Sequence, residues 1–420
     1  MIGGRSASLS AGFQWILAGS VSSAAANWGV IVLLARFGSP ETLGAYALGL
    51  SMASVAYALS GLELRTLQVT QQSEDPAFSD YFGLRVVTSL AALAVLSLLA
   101  GRESTFTAWA VMAVSAGRAF DAVSDIFYAR FQVVNRLDRI SISQILRATL
   151  SLLFLSVALF LSLAPLVTIA AVPVASLCVF ALYDVPGIVR HGVPGALRFA
   201  CVPGQAAVLV RAGLPFAIIS MMVAAIAAMP RLTIARESGP ADVAVVAALS
   251  YLAIAPNLLV TALGQAGMRS LATSFAAGER RAALAGATRL LVMSAALGGA
   301  ALGAALLGGR QILQVIYGAR YAGYEWELTL FLGSGAVSYL NAGLGYCLSS
   351  ARITAPQIPM MATVCAVTFV ACTILIRHWG VAGAAAGQAA GMLVQFTWSA
   401  AVFARRFRAP LARREALSPL

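Results

Sequence analysis

Long apolar runs, separated by short polar or charged breaks, make up most of the chain. Most runs hold about 20 residues, the length at which an α-helix crosses the hydrocarbon core of a bilayer. No run alternates apolar and polar residues over about ten positions, as a lipid-facing strand would. The pattern therefore predicts an all-α polytopic membrane protein with about twelve transmembrane helices. Their approximate limits are 12–35, 42–62, 83–101, 105–128, 143–163, 165–185, 211–235, 242–266, 286–308, 327–350, 357–376 and 380–404.

Composition agrees with a chain that faces lipid. Of the 420 residues, 60% are hydrophobic and 10% are charged, and the mean hydropathy is +0.86. A soluble domain carries about 25% charged residues, so a surface of this composition cannot face water. The first apolar run, near 11–35, is longer than the apolar part of a signal peptide, and we expect it to be the first membrane helix.

The arginines predict an orientation. All 28 basic residues are Arg. If the N-terminus is cytoplasmic, 20 of them, including Arg85 and Arg147, fall in cytoplasmic segments and six fall in outer segments. This bias follows the positive-inside rule. We therefore expect a membrane protein with both termini in the cytoplasm. The net charge of +12 then reflects orientation and contact with anionic membrane lipids, and nucleic acid is not an expected partner.

Residue types that build catalytic and metal sites are scarce. The five cysteines have no metal-site or redox spacing, and the two histidines, His191 and His378, lie at the ends of apolar runs. The sequence also lacks the motifs of nucleotide binding, of zinc hydrolases and of serine hydrolases. We expect no catalytic residue, no metal and no cofactor.

An internal repeat suggests a duplicated architecture. Leu33–Pro40 and Thr233–Pro240 lie 200 residues apart, and both combine Ala-Arg with small residues and a final Pro. A break rich in Pro and Gly separates the first six apolar runs from the last six. The predicted domains are an N-terminal six-helix bundle (1–190), a cytoplasmic linker (191–210), a C-terminal six-helix bundle (211–405) and a basic cytoplasmic tail (406–420).

Three short motifs resemble those of the polysaccharide transporter family, which includes O-antigen flippases and belongs to the multidrug/oligosaccharidyl-lipid/polysaccharide exporter superfamily. Leu34–Leu48, with Arg36, Gly38, Gly44 and Tyr46, is similar to the family's first loop. The other two are Gly213-Leu214-Pro215, at the start of the seventh run, and Val315–Tyr321, with its Tyr-Gly-x-x-Tyr segment. The resemblance covers essentially the whole chain and implies a MATE-like fold of two six-helix bundles.

The chain departs from this family in its second half. Ala244-Val245-Val246 stands where the family usually has Gly-x-Tyr, and Met229-Pro230-Arg231 lacks the acid that commonly precedes the arginine. The missing acid argues against ion coupling at that point.

Charged residues inside apolar runs are the main candidates for a site, because inserting one charged side chain at the centre of a membrane helix costs about 2.5–3.5 kcal/mol. The fourth run carries Arg118, Asp121 and Asp125, whose spacing of three and four places them on one helical face. One interpretation is a polar stripe that lines a cavity, where Arg118 meets an anionic head group and the acids line the cavity or couple an ion. The other is an internal ion pair that joins two helices.

Three further residues are candidates. Arg231 follows Pro230 in the seventh run and either binds the pyrophosphate of a lipid-linked sugar or extends to the outer interface. Asn27 either contacts substrate or pairs helices. Glu63 either lines a cavity or forms a solvated pair with Arg65.

The family resemblance implies a flippase of the bacterial cytoplasmic (inner) membrane. It would move an undecaprenyl-pyrophosphate-linked oligosaccharide across that membrane by alternating access, for cell-surface polysaccharides such as O-antigen, lipopolysaccharide or exopolysaccharide. Expected partners are that lipid-linked oligosaccharide, membrane lipids, and polysaccharide polymerase or other assembly machinery. The alternatives are a cation-coupled multidrug exporter of the same fold, a membrane-embedded polysaccharide polymerase or ligase, and a non-transporting scaffold. The short outer loops argue against the enzyme.

Overall fold

The computed structural model describes residues 3–71, 76–191, 197–254, 256–351 and 357–408. Within these ranges the regular structure is entirely helical, as predicted. The basic tail beyond residue 408 and the linker residues 192–196 lie outside the described residues. The α-helices are α1 (Gly3–Phe37), α2 (Pro40–Ser60), α3 (Leu64–Thr70), α4 (Phe78–Ala100), α5 (Thr105–Val133), α6 (Leu137–Phe160), α7 (Pro165–Val179), α8 (Val185–His191), α9 (Pro203–Glu237), α10 (Pro240–Ile254), α11 (Asn257–Ala276), α12 (Arg280–Tyr317), α13 (Glu325–Ser350) and α14 (Gln357–Arg408).

The helices account for the predicted membrane crossings. In the described ranges, nine helical segments are long and apolar enough to span a bilayer. Two more long helices, α5 and α13, are not among these nine, and α5 holds the charged stripe found in the sequence. The 52-residue α14 is kinked at Gly380, where φ is 54°, and its two parts correspond to the last two predicted spans. Counted in this way, the described helices give the twelve predicted spans.

Large apolar side chains are exposed on the outside of the helices. Leu98, Phe160 and Leu307 are 78%, 88% and 90% exposed, respectively. Exposure of this extent over many helices is costly in water and is typical of a surface that faces lipid. This outer surface confirms the prediction of a multi-pass membrane protein.

Helix boundaries reproduce the internal repeat. Helices α1 and α9 are both 35 residues long and end at Phe37 and Glu237, while α2 and α10 begin at Pro40 and Pro240. Proline fits the first position of a helix because the amide hydrogen that it lacks has no partner there. At the first of these junctions, the Ser39 hydroxyl accepts a hydrogen bond from the Thr42 amide at 3.2 Å and caps α2.

The chain forms two compact units, Met1–Ala247 and Ala248–Leu420. In the first, α2 is central and packs against α4, α5 and α9. Helix α9 belongs to this unit because it approaches the C-terminal end of α2 closely, where the Ser220 hydroxyl donates to Glu63 at 2.6 Å. The first unit therefore extends past the linker that we placed at 191–210. That placement stays a prediction.

In the second unit, α13 packs against α11, α12 and α14. The Tyr-Gly-x-x-Tyr segment, which begins at the last residue of α12, contributes to helix packing. The Tyr317 hydroxyl donates to the Ala248 carbonyl at 2.8 Å, and its ring lies 5.6 Å from that of Tyr321, centroid to centroid. Burial raises the pKa of Tyr321 to about 12, so this side chain remains neutral at physiological pH.

We predict that Gly117→Ala destabilises the protein. A Cβ at Gly117 would lie 2.8 Å from the Pro173 Cβ, and overpacking of this kind typically costs about 1–3 kcal/mol. Gly299→Ala is the matched control, because nothing lies within 4 Å of the added Cβ in α12. Thermal denaturation in detergent should show a lower midpoint for Gly117→Ala only. Equal denaturation midpoints for the two variants would show that Gly117 is not packed tightly against Pro173.

Candidate functional site: a charged cavity in the first unit

A cavity of about 220 Å³ lies inside the first unit, between α1, α2, α5, α6 and α7. Polar side chains from all five helices line it, although these helices are otherwise apolar. The lining consists of Ser23, Ala26, Asn27, Val30, Tyr46, Leu50, Val114, Gly117, Arg118, Asp121, Tyr128, Gln144, Arg147, Ala148, Ser151, Val172, Pro173 and Ser176.

Close helix packing shapes one wall of this cavity. Pro173 lies inside α7 and packs directly on Gly117 of α5. Because Gly117 has no side chain, α5 approaches α7 closely at the residue that precedes Arg118. The contact brings the charged face of α5 toward the polar residues of α6 and α7.

Arg118 and Asp121 meet at the cavity. Their side chains are separated by 3.6 Å between Nη1 and Oδ2, and both are partly exposed. That separation is an ion pair without a hydrogen bond. The spacing of three thus pairs Arg118 with Asp121 within one helix, and both side chains line the cavity.

Arg147 is the centre of the charge network. Its Nη1 donates to Asp121 Oδ1 at 2.7 Å, and its Nη2 donates to Asp184 Oδ2 at 3.0 Å and to the Ser124 hydroxyl at 3.1 Å. The Ser124 hydroxyl also donates to Asp184 Oδ2 at 2.6 Å. One guanidinium therefore joins α5, α6 and the segment that follows α7.

A π-helical turn, Phe180–Asp184, places Asp184 in this network. The Val185 amide donates to the Phe180 carbonyl, five residues back, which widens the helix by one residue. Pro186 follows directly, and a proline ring clashes with the carbonyl four residues before it. The wider turn avoids this clash and sets Asp184 at 1% exposure against Arg147.

Of the other predicted residues, only Asn27 lies in this cavity, where it extends from α1. Asp125, one turn beyond Asp121, instead binds Arg65 at 2.8 Å, outside the lining described above. Glu63 also lies elsewhere, in a left-handed conformation (φ 47°) before α3. It accepts hydrogen bonds from Ser220 and Thr66.

Arg231 occupies a separate position. It is 8% exposed, and its Nη2 donates to the Ala227 carbonyl of its own helix at 3.2 Å. It is not among the residues that line the cavity described above. The structure thus brings Arg118, Asp121 and Asn27 to one cavity and places Asp125, Glu63 and Arg231 elsewhere. Their assignment to substrate binding or ion coupling stays a prediction.

The sequence did not predict that two arginines, Arg147 and Arg85, lie in the interior. Arg147 was counted as a cytoplasmic charge, whereas the structure buries it within α6, with 15% of its side chain exposed. Arg85 was counted in the same way, yet it is 7% exposed and donates to the Ala122 carbonyl at 2.8 Å. A signal for Arg147 was present, because Gln144, Arg147 and Ser151 share one helical face.

In the described ranges, no group of three or more His, Cys, Asp or Glu side chains is placed to hold a metal ion. The polar part of the cavity lining consists mainly of serine, amide and arginine side chains, beside Asp121 and two tyrosines. The arrangement can bind an anion through guanidinium groups and hydroxylated groups through the amides and serines.

Comparisons of sequence give no relative, since no protein-family model matches the chain and no curated protein matches it either. Solved structures are similar. An inward-facing multidrug resistance MATE family transporter of the MOP superfamily aligns with a TM-score of 0.75 and 12% identity, over 94% of this chain and 100% of that one. The lipid II flippase MurJ, in an inward closed conformation, has the same TM-score and identity, over 94% and 87% of the two chains.

A third structure is a MOP superfamily transporter from Pyrococcus furiosus, with a TM-score of 0.61 and 9% identity, over 94% of this chain and 95% of that one. Identities this low establish similarity of fold alone. The chain has the fold of the MOP superfamily transporters. The expected MATE-like architecture is therefore confirmed.

We predict that the two cavity arginines differ in their contribution to stability. Arg147→Met leaves Asp184 buried without its charge partner, and breaking such a pair costs about 3–5 kcal/mol. Arg118→Met removes a partly exposed, loosely paired group, which is worth at most about 1 kcal/mol. Chemical denaturation in detergent should therefore show a large loss for Arg147→Met and a small one for Arg118→Met.

The double variant Arg147→Met/Asp184→Leu tests the cause of this loss. It removes both buried charges, so it should recover part of the stability lost in Arg147→Met. If the double variant recovers no stability, or if Arg147→Met and Arg118→Met lose equal stability, the ion pair of Arg147 with Asp184 does not hold these helices together.

Proposed function

We propose that this protein is a flippase. It translocates a lipid-linked oligosaccharide of the undecaprenyl-pyrophosphate type across the bacterial cytoplasmic membrane by alternating access, for the synthesis of a cell-surface polysaccharide. Both termini lie in the cytoplasm, and the protein carries out no chemical step. The fold supports this proposal in general terms, because similar structures include a multidrug transporter and the lipid II flippase MurJ.

The observation that carries the proposal is the pair of guanidinium groups at one cavity. Arg118 and Arg147 lie on either side of the Asp121 carboxylate, at 3.6 Å and 2.7 Å. Guanidinium groups bind phosphate oxygens through paired, charge-assisted hydrogen bonds. Two of them at one cavity suit the two phosphates of a pyrophosphate head group.

The rest of the lining suits a sugar. Asn27, Gln144, Ser23, Ser151 and Ser176 offer amide and hydroxyl groups around the arginines. These groups donate and accept hydrogen bonds and therefore match sugar hydroxyls. Tyr46, part of the motif that resembles the polysaccharide transporters, also lines this cavity.

A cation-coupled multidrug exporter is the second candidate, because a MATE transporter shares the fold. The charges of the cavity favour the flippase. A cationic drug needs an available acid, whereas Asp121 already bridges two arginines and Asp184 is buried behind Arg147. A polymerase or ligase, and a non-transporting scaffold, have no specific observation in their favour.

We predict that Arg118→Ala slows translocation. The variant loses a charge-assisted contact with the head group, which should reduce the rate at limiting substrate roughly tenfold or more. Arg118→Lys keeps the charge without the planar fork and should be intermediate. The measurement is protection of a fluorescent, undecaprenyl-pyrophosphate-linked oligosaccharide from an external quencher in proteoliposomes.

Arg102→Ala is the matched control, since Arg102 is an exposed arginine after α4 and is not part of the cavity lining. It should translocate like the wild type. If Arg118→Ala, reconstituted at the same density, also translocates like the wild type, then the cavity does not bind the head group.

A dye-efflux assay separates the two transport functions. We predict that cells overproducing the protein extrude ethidium no faster than cells carrying an empty vector. A MATE transporter expressed at the same level is the positive control. Ethidium efflux that Asp121→Asn abolishes would instead support the multidrug exporter.

A further inference from the structure

Four charged side chains form a row that leads from the protein interior to the cavity. In order they are Asp184, Arg147, Asp121 and Arg118, so the signs alternate along the row. Exposure of the side chains rises steadily, from 0% to 15%, 27% and 35%. The row has a closed end at Asp184 and an accessible end at Arg118.

The contacts loosen toward the accessible end. Arg147 makes three hydrogen bonds of 2.7–3.1 Å, to Asp121, Ser124 and Asp184. Arg118 meets Asp121 in a 3.6 Å ion pair, too long for a hydrogen bond. The two acids therefore have different positions, since Asp184 lies behind Arg147 and Asp121 lies between the two arginines, in the cavity lining.

We propose that Asp121 occupies the place of the substrate's anion and sets the affinity of the cavity for phosphate. The inference deepens the proposed function and rests on it. In the empty cavity, Asp121 neutralises the guanidinium groups that a pyrophosphate would bind. A bound pyrophosphate displaces the carboxylate from Arg118 and shares Arg147 with it.

Asp184 has the complementary role of a positioning residue. It is fully buried and cannot contact substrate, but with Ser124 it fixes the Nη2 side of Arg147. The guanidinium therefore keeps its orientation when an anion competes with Asp121 for the Nη1 side. Without Asp184, Arg147 would pair more strongly with Asp121. Asp121 would then compete more strongly with the bound anion.

Asp121→Asn tests the competition directly. The change keeps the side-chain shape and removes the charge, so repulsion of the incoming anion disappears. We expect the purified full-length protein in nanodiscs to bind the probe roughly tenfold more tightly or better. Two probes are titrated by calorimetry, inorganic pyrophosphate and farnesyl pyrophosphate. If Asp121→Asn does not fold, Asp121→Ser removes the same charge and takes its place.

Asp138→Asn controls for net charge. It removes one negative charge from an ion pair with Arg136 near the start of α6, outside the cavity lining. We expect it not to tighten binding, and its folded fraction must match that of the wild type. If Asp138→Asn tightens binding as much as Asp121→Asn, net charge alone is responsible and the proposal is overturned.

Asp184→Asn tests the positioning role instead, because it changes the partner that fixes Arg147. We expect weaker binding of the probe, since Asp121 then competes more strongly for Arg147. Tighter binding by Asp184→Asn would contradict that role.

The two probes identify the source of the anion. Tighter binding of both, or of farnesyl pyrophosphate alone, supports the proposal for a lipid head group, and tighter binding of inorganic pyrophosphate alone supports it for a free phosphate. No tightening with either probe overturns it. If the wild-type protein translocates the oligosaccharide but Asp121→Asn does not tighten probe binding, this inference alone is refuted. If Asp121→Asn tightens probe binding but the wild-type protein does not translocate, the flippase function is refuted.

Discussion

The buried positive charge of Arg147 is the constraint on which the arrangement of the first unit depends. A charge inside an apolar helix bundle is tolerated only when partners surround it. Asp121, Asp184 and Ser124 provide those partners at 2.7–3.1 Å. Because they come from α5 and from the turn after α7, one guanidinium on α6 fixes the relative positions of three helical segments.

Several local irregularities serve this convergence. Gly117 lets α5 contact Pro173 of α7, and the π-helical turn before Pro186 rotates Asp184 toward Arg147. Each of these features would weaken an isolated helix. Together they close the buried side of the network and leave Arg118 at the accessible side. The cavity therefore results from the way in which these buried charges pair with one another. For the same reason its lining is more polar than the surrounding helices.

Much of the fold was predictable because hydropathy and helix boundaries are local properties. The twelve spans and the repeat of α1–α2 in α9–α10 follow from runs, prolines and glycines that can be counted along the chain. The pairing of Arg118 with Asp121 was also predictable, since a spacing of three fixes it within one helix. Partners on different helices were not. Arg147 looks like a flanking charge near the start of an apolar run, and Asp184 reaches it only through a π-helical turn whose extra residue shifts the face of the helix.

Under the proposed flippase function, the same network bears on how the substrate is released. Two guanidinium groups without a neighbouring carboxylate would bind a pyrophosphate tightly in such a cavity, and tight binding is mostly slow dissociation. A transporter needs occupancy on one side of the membrane and release on the other, so strong affinity is a disadvantage. A carboxylate that returns to the arginines as the anion leaves replaces the lost contacts one by one. Asp121 lies where such an exchange is possible, between a firmly held arginine and a loosely held one.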